Sequence, residues 1–394
     1  MNGSTAFAGL MVSSKGIGNM ASQISALNTI RIGIIGCGSR GVGLGTLFKQ
    51  LPGVKLTAFC DILPNRVTDG LAQVEKTAKG YNDHRKLLDS KDVDAVVIAT
   101  PLFLHYPMAV DALKAGKHVY LEKSLAYDIQ QSLDLPGIVK ESKKVFQVGY
   151  QYRYYNMYHK VKEVIDSGWV GKVTHFECQY NQNTNWRKPV SDPKLERILN
   201  WRMYREYCGG PLSELCAHQI DMVNYILNSH PLSAVGSGSI NYWKDGRETY
   251  DNIRVIYDYP GGITSTCTSI LSNGYNGYNI RVLADNATLD IQRDKIFIYG
   301  ETRINERGTV DGVTGATVKA RTQGERKEIP FRDFGEQNVE PTTYAIQDFI
   351  KCIRENKKPV SNVDNAKESS IAIHLGNAAA DTGTKQLWKP EYSA

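Results

Sequence analysis

Glu214 and His218 stand four residues apart in a stretch that reads as helix from about Leu212 to Leu227, so their side chains share one face, with Asp221 three residues further on. A histidine of ordinary pKa, about 6.5, takes up a proton at neutral pH, and a carboxylate one turn away would fix its tautomer or share that proton. The pair is a candidate for general acid–base chemistry; the alternative is a helix histidine satisfied in the core. Zinc would also accept Glu and His at this spacing, but no third ligand follows at a convincing spacing, and we assign no metal. Near the start of the chain, Gly36-Cys37-Gly38-Ser39-Arg40-Gly41 spells GxGxxG. Such a turn lets backbone approach a pyrophosphate and presents the unpaired N–H groups of the next helix to it. Gly36, Gly38, Ser39, Arg40 and Gly41 are therefore candidate dinucleotide contacts.

These groups need elements to hold them. Ile32-Gly33-Ile34-Ile35 is a short apolar run of buried-strand type that leads into the glycine turn, after which helical periodicity begins. A second strand, Val54 to Cys60, closes at Asp61, twenty residues after Gly41, where a carboxylate accepts the ribose hydroxyls of an adenosine. That charge favours NAD over NADP, because a 2′-phosphate would meet Asp61 as a like charge. Arg66 is close enough in sequence to join the cofactor contacts and leaves the choice less sharp; a plain strand-end turn is the other reading of Asp61. The alternation continues with a helix near 64–79, a strand at 95–99, a helix near 105–115, a strand at 118–121, a helix near 128–143 and a strand at 145–149. It predicts a parallel sheet with helices on both faces. Ligands of such sheets bind at the C-terminal ends of the strands, which places Thr100-Pro101 and Glu122-Lys123 toward the cofactor.

Composition narrows the remaining choices. The 394 residues suffice for two domains, and 41% hydrophobic with 22% charged residues describes a globular chain. The formal charge of +6, from 47 Lys+Arg against 41 Asp+Glu, is spread without a basic run, so no nucleic-acid partner is expected, and no stretch is apolar enough for a membrane span. Seven dispersed cysteines without a CxxC pair argue against a disulfide scaffold or zinc ribbon. Residues 1–29 are rich in Gly, Ser and Ala with Lys15 as the only charge, and read as a tail or arm, or as the remnant of an export signal in residues 1–20. The first reading implies a cytoplasmic protein and the second a periplasmic one.

Ala99-Thr100-Pro101 followed by His105, then Ala115-Gly116-Lys117-His118-Val119-Tyr120-Leu121-Glu122-Lys123, resemble the Gfo/Idh/MocA family of sugar and inositol oxidoreductases. The similarity continues through Val148 to Arg153, Ser167 to Val173 and Gly209 to Asp221, and covers roughly residues 30–385. It implies a doubly wound α/β Rossmann domain over 30–149 that binds NAD. An α+β domain over 150–394 would follow, with a large, mainly antiparallel open sheet for substrate binding and for assembly into a homodimer or homotetramer. Runs near 173–180, 234–243, 252–258, 263–271, 279–284 and 288–291 read as its strands, and 302–328 as a surface hairpin or loop. A helix over Thr342 to Arg354, within 340–356, would return to the first domain. The resemblance also gives His105 a place among the cofactor contacts and makes Lys123, His218 and Glu214 the catalytic set. Two residues depart from the family pattern: Glu214 replaces a shorter Asp, and Ser124 stands where proline usually follows Glu-Lys, which argues against a cis peptide there.

Hydride transfer from a secondary alcohol to NAD needs a base for the hydroxyl proton. Lys123 serves as that base only if its pKa falls from about 10.4; otherwise it orients and donates. The chain holds 22 Tyr against 10 Phe, and an aromatic ring with a polar tip suits a pyranose, which has apolar faces and hydroxyl edges. Tyr152, Arg153, Trp201, Arg202 and Asp221 are the substrate-binding candidates. The resemblance implies reversible oxidation of a ring secondary alcohol of a sugar or glycoside, at C3, to a keto sugar. The alternatives are a glycosidase that uses NAD for transient oxidation and elimination, and a scyllo- or myo-inositol dehydrogenase.

Overall fold

The computed structural model describes residues 29–302, 307–310, 313–318, 322–332 and 339–393. The tail and export-signal readings of the N-terminus therefore lie outside the described residues.

Two sheets organise the chain. The first holds β1 (Ile30–Ile35), β2 (Val54–Cys60), β3 (Lys79–Tyr81), β4 (Ala95–Ile98), β5 (His118–Leu121) and β6 (Phe146–Val148). All are parallel, in the order β3-β2-β1-β4-β5-β6. A parallel sheet is covered on both faces, and every residue of β4 is accordingly buried. Part of the cover comes from α1 (Ser39–Lys49), α2 (Pro64–Gln73), α3 (His84–Leu88), α4 (His105–Lys114) and α5 (Ile129–Ser142). The helix expected to reach residue 79 stops at Gln73, and Lys79-Gly80-Tyr81 instead pairs with Ala58–Cys60 as an edge strand too short and polar for periodicity to reveal.

The chain then leaves this sheet through α6 (Asn156–Asp166) and, further on, α7 (Ala217–Leu227), and returns to it with α8 (Pro341–Glu355). Ile346, Phe349 and Ile350 of α8 join the core of the first sheet, and the Phe349 ring meets Phe48 and Tyr120 edge-on at 6.2 and 5.7 Å. Burial of each such side chain stabilises by about 1.5–3 kcal/mol, which is why the returning helix carries its apolar residues at helical spacing.

The second sheet contains β7 (Val173–Tyr180), β8 (Ser233–Ser239), β9 (Asn252–Asp258), β10 (Thr264–Ile270), β11 (Tyr278–Ala284), β12 (Ala287–Ile291) and β13 (Ile296–Thr302). A hairpin of β14 (Arg307–Val310) and β15 (Val313–Val318) follows, then β16 (Thr322–Glu328) and, at the far end, β17 (Gln386–Leu387). The order is β16-β13-β12-β11-β7-β10-β9-β8-β17, antiparallel throughout except for β7 beside β10. The segment read as a hairpin or loop does contain a hairpin, but β13 and β16 around it extend the sheet. One face packs on α9 (Val363–Thr382), where the Tyr257 hydroxyl donates to Ala372 O at 3.1 Å. Helix α9 was not legible in the sequence because it is buried on nearly every side, with Ile371, Ile373 and Leu375 interleaved among Ala366, Ser369, Ser370, Ala372 and Gly376, so no single apolar stripe stands out. The opposite face is open, with alternate residues of β9 exposed.

Candidate active site

The glycine turn follows directly from β1. Gly36 has φ +92°, and a Cβ there would lie 2.6 Å from Ala99 O, so only glycine fits between β1 and β4. Gly38 caps α1 without any side-chain hydrogen bond and, among the described residues, with nothing within 4 Å of its would-be Cβ, which leaves room for a phosphate before the N–H groups of the helix. Asp61, at the end of β2, accepts from Cys37 N and Leu63 N at 2.9 Å each, and Arg66 Nη1 lies 3.8 Å from it. The carboxylate thus fixes the turn, and its remaining lone pairs can still accept ribose hydroxyls.

The loop after β5 carries Glu122 and Lys123. Glu122 Oε1 accepts from Arg40 Nε at 2.7 Å, which ties the helix of the glycine turn to this loop. Lys123 Nζ donates to Glu214 O at 2.8 Å, joining the two domains. The Lys123–Ser124 peptide is cis, contrary to the expectation from Ser124. Its neighbouring atoms are held from other elements: the Ser124 hydroxyl donates to Ser213 O at 3.3 Å, and Ser124 O lies 2.6 Å from His105 Nδ1. His105 Nε2 is 3.0 Å from Thr100 O. The ring is only 2% exposed, and burial lowers its pKa against the opposing pull of the two carbonyls. His105 therefore braces the loops after β4 and β5 and itself lines the cavity between them, and Pro101 opens the 3-10 turn Leu102–Leu104 that leads to it.

The expected helix from Leu212 begins instead with a π-helical turn, Leu212–Cys216, before α7. Its i→i+5 ladder widens the turn, so the i, i+4 stacking of an α-helix does not apply at Glu214. The expected contact between Glu214 and the imidazole is not made. Glu214 Oε2 instead accepts from Arg202 Nε at 2.9 Å, and His218 Nδ1 is buried with no partner among the described residues. Burial raises the Glu214 pKa, but the charges of Lys123 and Arg202 outweigh it and hold the carboxyl below its ordinary range. For His218, burial and then the charges of Lys123, Arg40 and Arg293 all act together and push the pKa well below 6.5. The imidazole is neutral, with the Tyr152 ring 4.9 Å away and Tyr150 edge-on at 6.2 Å.

These groups meet in a cavity of about 300 Å³ at the C-terminal ends of the parallel strands. Thr100, Glu122 and Lys123 line it from the first domain, and Gln151, Trp201, Arg202, Glu214 and His218 from the segment that follows. Larger concavities, about 560 and 810 Å³, lie on the open face of the second sheet and beside β3, and hold none of these groups. Three of the expected substrate contacts, Tyr152, Arg153 and Asp221, do not line the smaller cavity. Arg153 and Asp221 are buried against each other, Nη2 to Oδ1 at 2.8 Å and Nε to Oδ2 at 2.9 Å, with Ser369 donating to the same carboxylate at 2.8 Å. A fully buried arginine needs a carboxylate partner, and this pairing takes both residues out of the site. Tyr152 packs beside His218 and does not line the cavity.

Gln151 was missed because an amide carries no titration or charge signal; its place just beyond β6 was the available clue. Among the described residues its Oε1 is buried without a partner, as are Thr100 Oγ1 and His218 Nδ1. Buried polar atoms are normally satisfied, so a cluster of unpartnered ones beside an open glycine turn fits a nicotinamide dinucleotide with a hydroxylated substrate. Gly36, Gly38, Ser39, Arg40, Gly41 and Asp61 would hold its phosphates and adenosine, and Thr100, Glu122, Lys123 and Gln151 its nicotinamide end.

Comparison with known proteins agrees with this geometry. Residues 30–150 match the signature of an oxidoreductase family with an NAD-binding Rossmann fold, and residues 158–290 match the GFO/IDH/MocA C-terminal domain. The chain is 26% identical over 363 residues to an inositol 2-dehydrogenase/D-chiro-inositol 3-dehydrogenase of Lactiplantibacillus plantarum, covering 90% of this chain and 93% of that one. It is 28% identical over 298 residues to a glycosyl hydrolase family 109 protein 2 of Shewanella sp., covering 68% of this chain and 61% of the other. A levoglucosan dehydrogenase solved with NADH and levoglucosan shares the fold, with TM-score 0.74, 18% identity, and coverage of 91% of this chain and 99% of that chain.

Proposed function

The chain belongs to the Gfo/Idh/MocA oxidoreductase family, and from that premise we propose that it is an NAD-dependent dehydrogenase of a sugar or glycoside that oxidises a ring secondary alcohol, at C3, to the ketone. The observation that carries this reading is the convergence of Lys123 and a neutral His218 on one cavity beside the open glycine turn.

Bound NAD supplies the hydride acceptor. His218 is neutral and can take the hydroxyl proton, and a positioned base of this kind contributes about 10²–10⁴ in rate. Lys123 uses one of its three donors on Glu214 O, which leaves the others for the reacting oxygen. The cations that keep His218 neutral also favour passing its proton onward, so the base is ready for the next turnover. Arg40 holds Glu122 in place, and the hydrogen bond to Glu214 O fixes Lys123 across the domain boundary.

The inositol dehydrogenase and family 109 relatives support two narrower alternatives: a cyclitol as substrate, and transient oxidation within a glycoside cleavage. Incubation with NAD and a panel of sugars, inositols and aryl glycosides, followed by NADH absorbance and mass spectrometry, separates them. A keto sugar with stoichiometric NADH is expected. Aglycone release without NADH would replace the reading with the glycosidase, and a keto inositol alone with the cyclitol enzyme.

The open sheet face also supports a homo-oligomer. Val235 and Ile256 are paired across β8 and β9 and are 37% and 45% exposed on it. Sedimentation is expected to give a dimer or tetramer, and a monomer would remove this part of the proposal.

A further inference from the structure

We propose that a lysine-rimmed groove between the ends of α5 and α8 docks an acidic segment of another protein, one that sets an apolar side chain on the groove floor and carboxylates on its rim. The proposal goes beyond the dehydrogenase reading and does not depend on it.

The charge is gathered by the fold. Lys140, Lys143 and Lys144 lie at the end of α5, and Lys357 and Lys358 lie far later in the chain, between α8 and α9. Along the sequence these are two short groups, but all five line one concavity of about 510 Å³. Asp364 is the one acid among its lining residues, so five lysines against one aspartate leave the groove +4 of the chain's formal +6. Pairing within the protein removes little of this. Lys357 meets Glu355 at 2.7 Å, and Lys358 meets Asp364. Among the described residues, the ammonium groups of Lys140, Lys143 and Lys144 have no hydrogen-bond or ion-pair partner. The negative end of α5 favours a cation at Lys140 or Lys143. It does not account for Lys358, which is carried to the positive N-terminus of α9, where the helix dipole opposes it.

The floor is of another kind. Val145, Phe146, Pro359 and Val363 are buried and line it, with Pro136 and Val139 beside them. An apolar floor under a cationic rim fits an amphipathic anion, and a small molecule is the poorer match. Small-ligand pockets fix their occupants with a few polar groups placed at depth. Among the described residues, no buried side chain with an unpartnered polar atom lines this groove; four of the five lysines are exposed, and Lys144 is half-buried. Long cations on a rim suit a partner that brings several carboxylates at once and is steered by them. The position also suits docking. Val145 and Phe146 stand at the start of β6, so the groove lies at the N-terminal ends of the parallel strands and shares no residue with the active-site cavity at their other end. A partner seated there leaves the glycine turn open.

The test uses the whole protein and a fluorescein-labelled acidic peptide with one central Phe, beside the same peptide with Gly in its place, followed by anisotropy. The Phe peptide is expected to bind about tenfold more tightly than the Gly peptide, as for burial of one ring, and to weaken several-fold between about 50 and 200 mM salt. In the triple variant Lys140→Glu, Lys143→Glu, Lys144→Glu its Kd should rise about tenfold or more, because three exposed pairs become repulsions. Lys55, Lys76 and Lys86 are exposed and lie outside the groove, and reversing those three instead, at equal net charge, should raise Kd less than about threefold. NADH affinity, read from NADH fluorescence, should be the same with and without saturating peptide. No binding by the wild type, equal binding of the two peptides, or equal loss in both triple variants would overturn the proposal. So would competition with NADH, which would place the peptide at the glycine turn. Tighter binding of a labelled single-stranded oligonucleotide, lost in the same variant, would overturn it in favour of nucleic acid. Should the first triple variant not fold, Lys143→Glu alone carries the comparison, with a rise of about threefold expected.

Discussion

The two sides of the cavity are held by different kinds of bond. On the cofactor side the decisive features are main-chain ones: the turn at Gly36, the uncapped first turn of α1 at Gly38, and a carboxylate, Asp61, bound to two backbone N–H groups. On the substrate side the charged groups are linked to one another through side chains. Lys123 depends on Glu214, Glu214 on Arg202, and Arg202 on Trp201. A main-chain site is fixed once the sheet forms and changes little when side chains change. A chain of side-chain contacts is easier to retune and easier to break, and a family of many substrates needs that on one side only.

The contrast is sharpest where the chemistry is removed without the cradle. Lys123→Ala and His218→Ala are each expected to lower kcat about 10²–10⁴-fold while NAD affinity, measured by titration, stays within a few-fold. Loss of NAD binding in both would show that the two sides are not separable. Next in size is Asp221→Asn, which strands the buried Arg153. It should cost about 3–5 kcal/mol in urea unfolding, and a change below about 1 kcal/mol would mean that the pair is not the buried anchor described. Asp61→Ala strikes the cofactor side and should weaken NAD binding about tenfold, as for a charged hydrogen-bond acceptor, with kcat at saturating NAD retained. A fall in kcat instead would tie the ribose end to the chemistry.

The smallest effect concerns pH. His218 must be neutral to accept a proton, so kcat/KM for oxidation rises with pH through its pKa. Burial and three cations hold that pKa below 6.5, so the acid limb should lie below pH 6.5. Arg293→Met removes one of the cations and should move the limb upward, toward 6.5. A limb that does not move, or moves down, would assign the titration to another group.

The same contrast decides what could be read from the sequence. The glycine turn, Asp61 and the strand-end positions of Thr100, Glu122 and Lys123 depend on local spacing, and the parallel sheet follows from alternating apolar runs. His218 was recognisable by type and by family pattern. The Arg202–Glu214 contact was not, because it depends on a π turn that helical periodicity reads as ordinary helix. Nor was the mutual burial of Arg153 and Asp221, since a charged residue looks the same in sequence whether it faces a ligand or another charge. Helix α9 and strand β3 escaped for a simpler reason: one is buried on nearly every side by a mixture of large and small residues and the other is three residues long, so neither has a strong period.

The π turn at Leu212–Cys216 has one more consequence, and it concerns descent. Such a turn is what a helix forms when it must accommodate one residue more than its i→i+4 ladder needs, so its contents can be changed by length as well as by identity. A one-residue deletion inside it would close the ladder and carry a different side chain round to the cavity with every remaining amino acid unaltered. New substrate preferences on this scaffold can therefore arise by single-codon insertions and deletions, a route that comparing aligned residue types column by column would overlook.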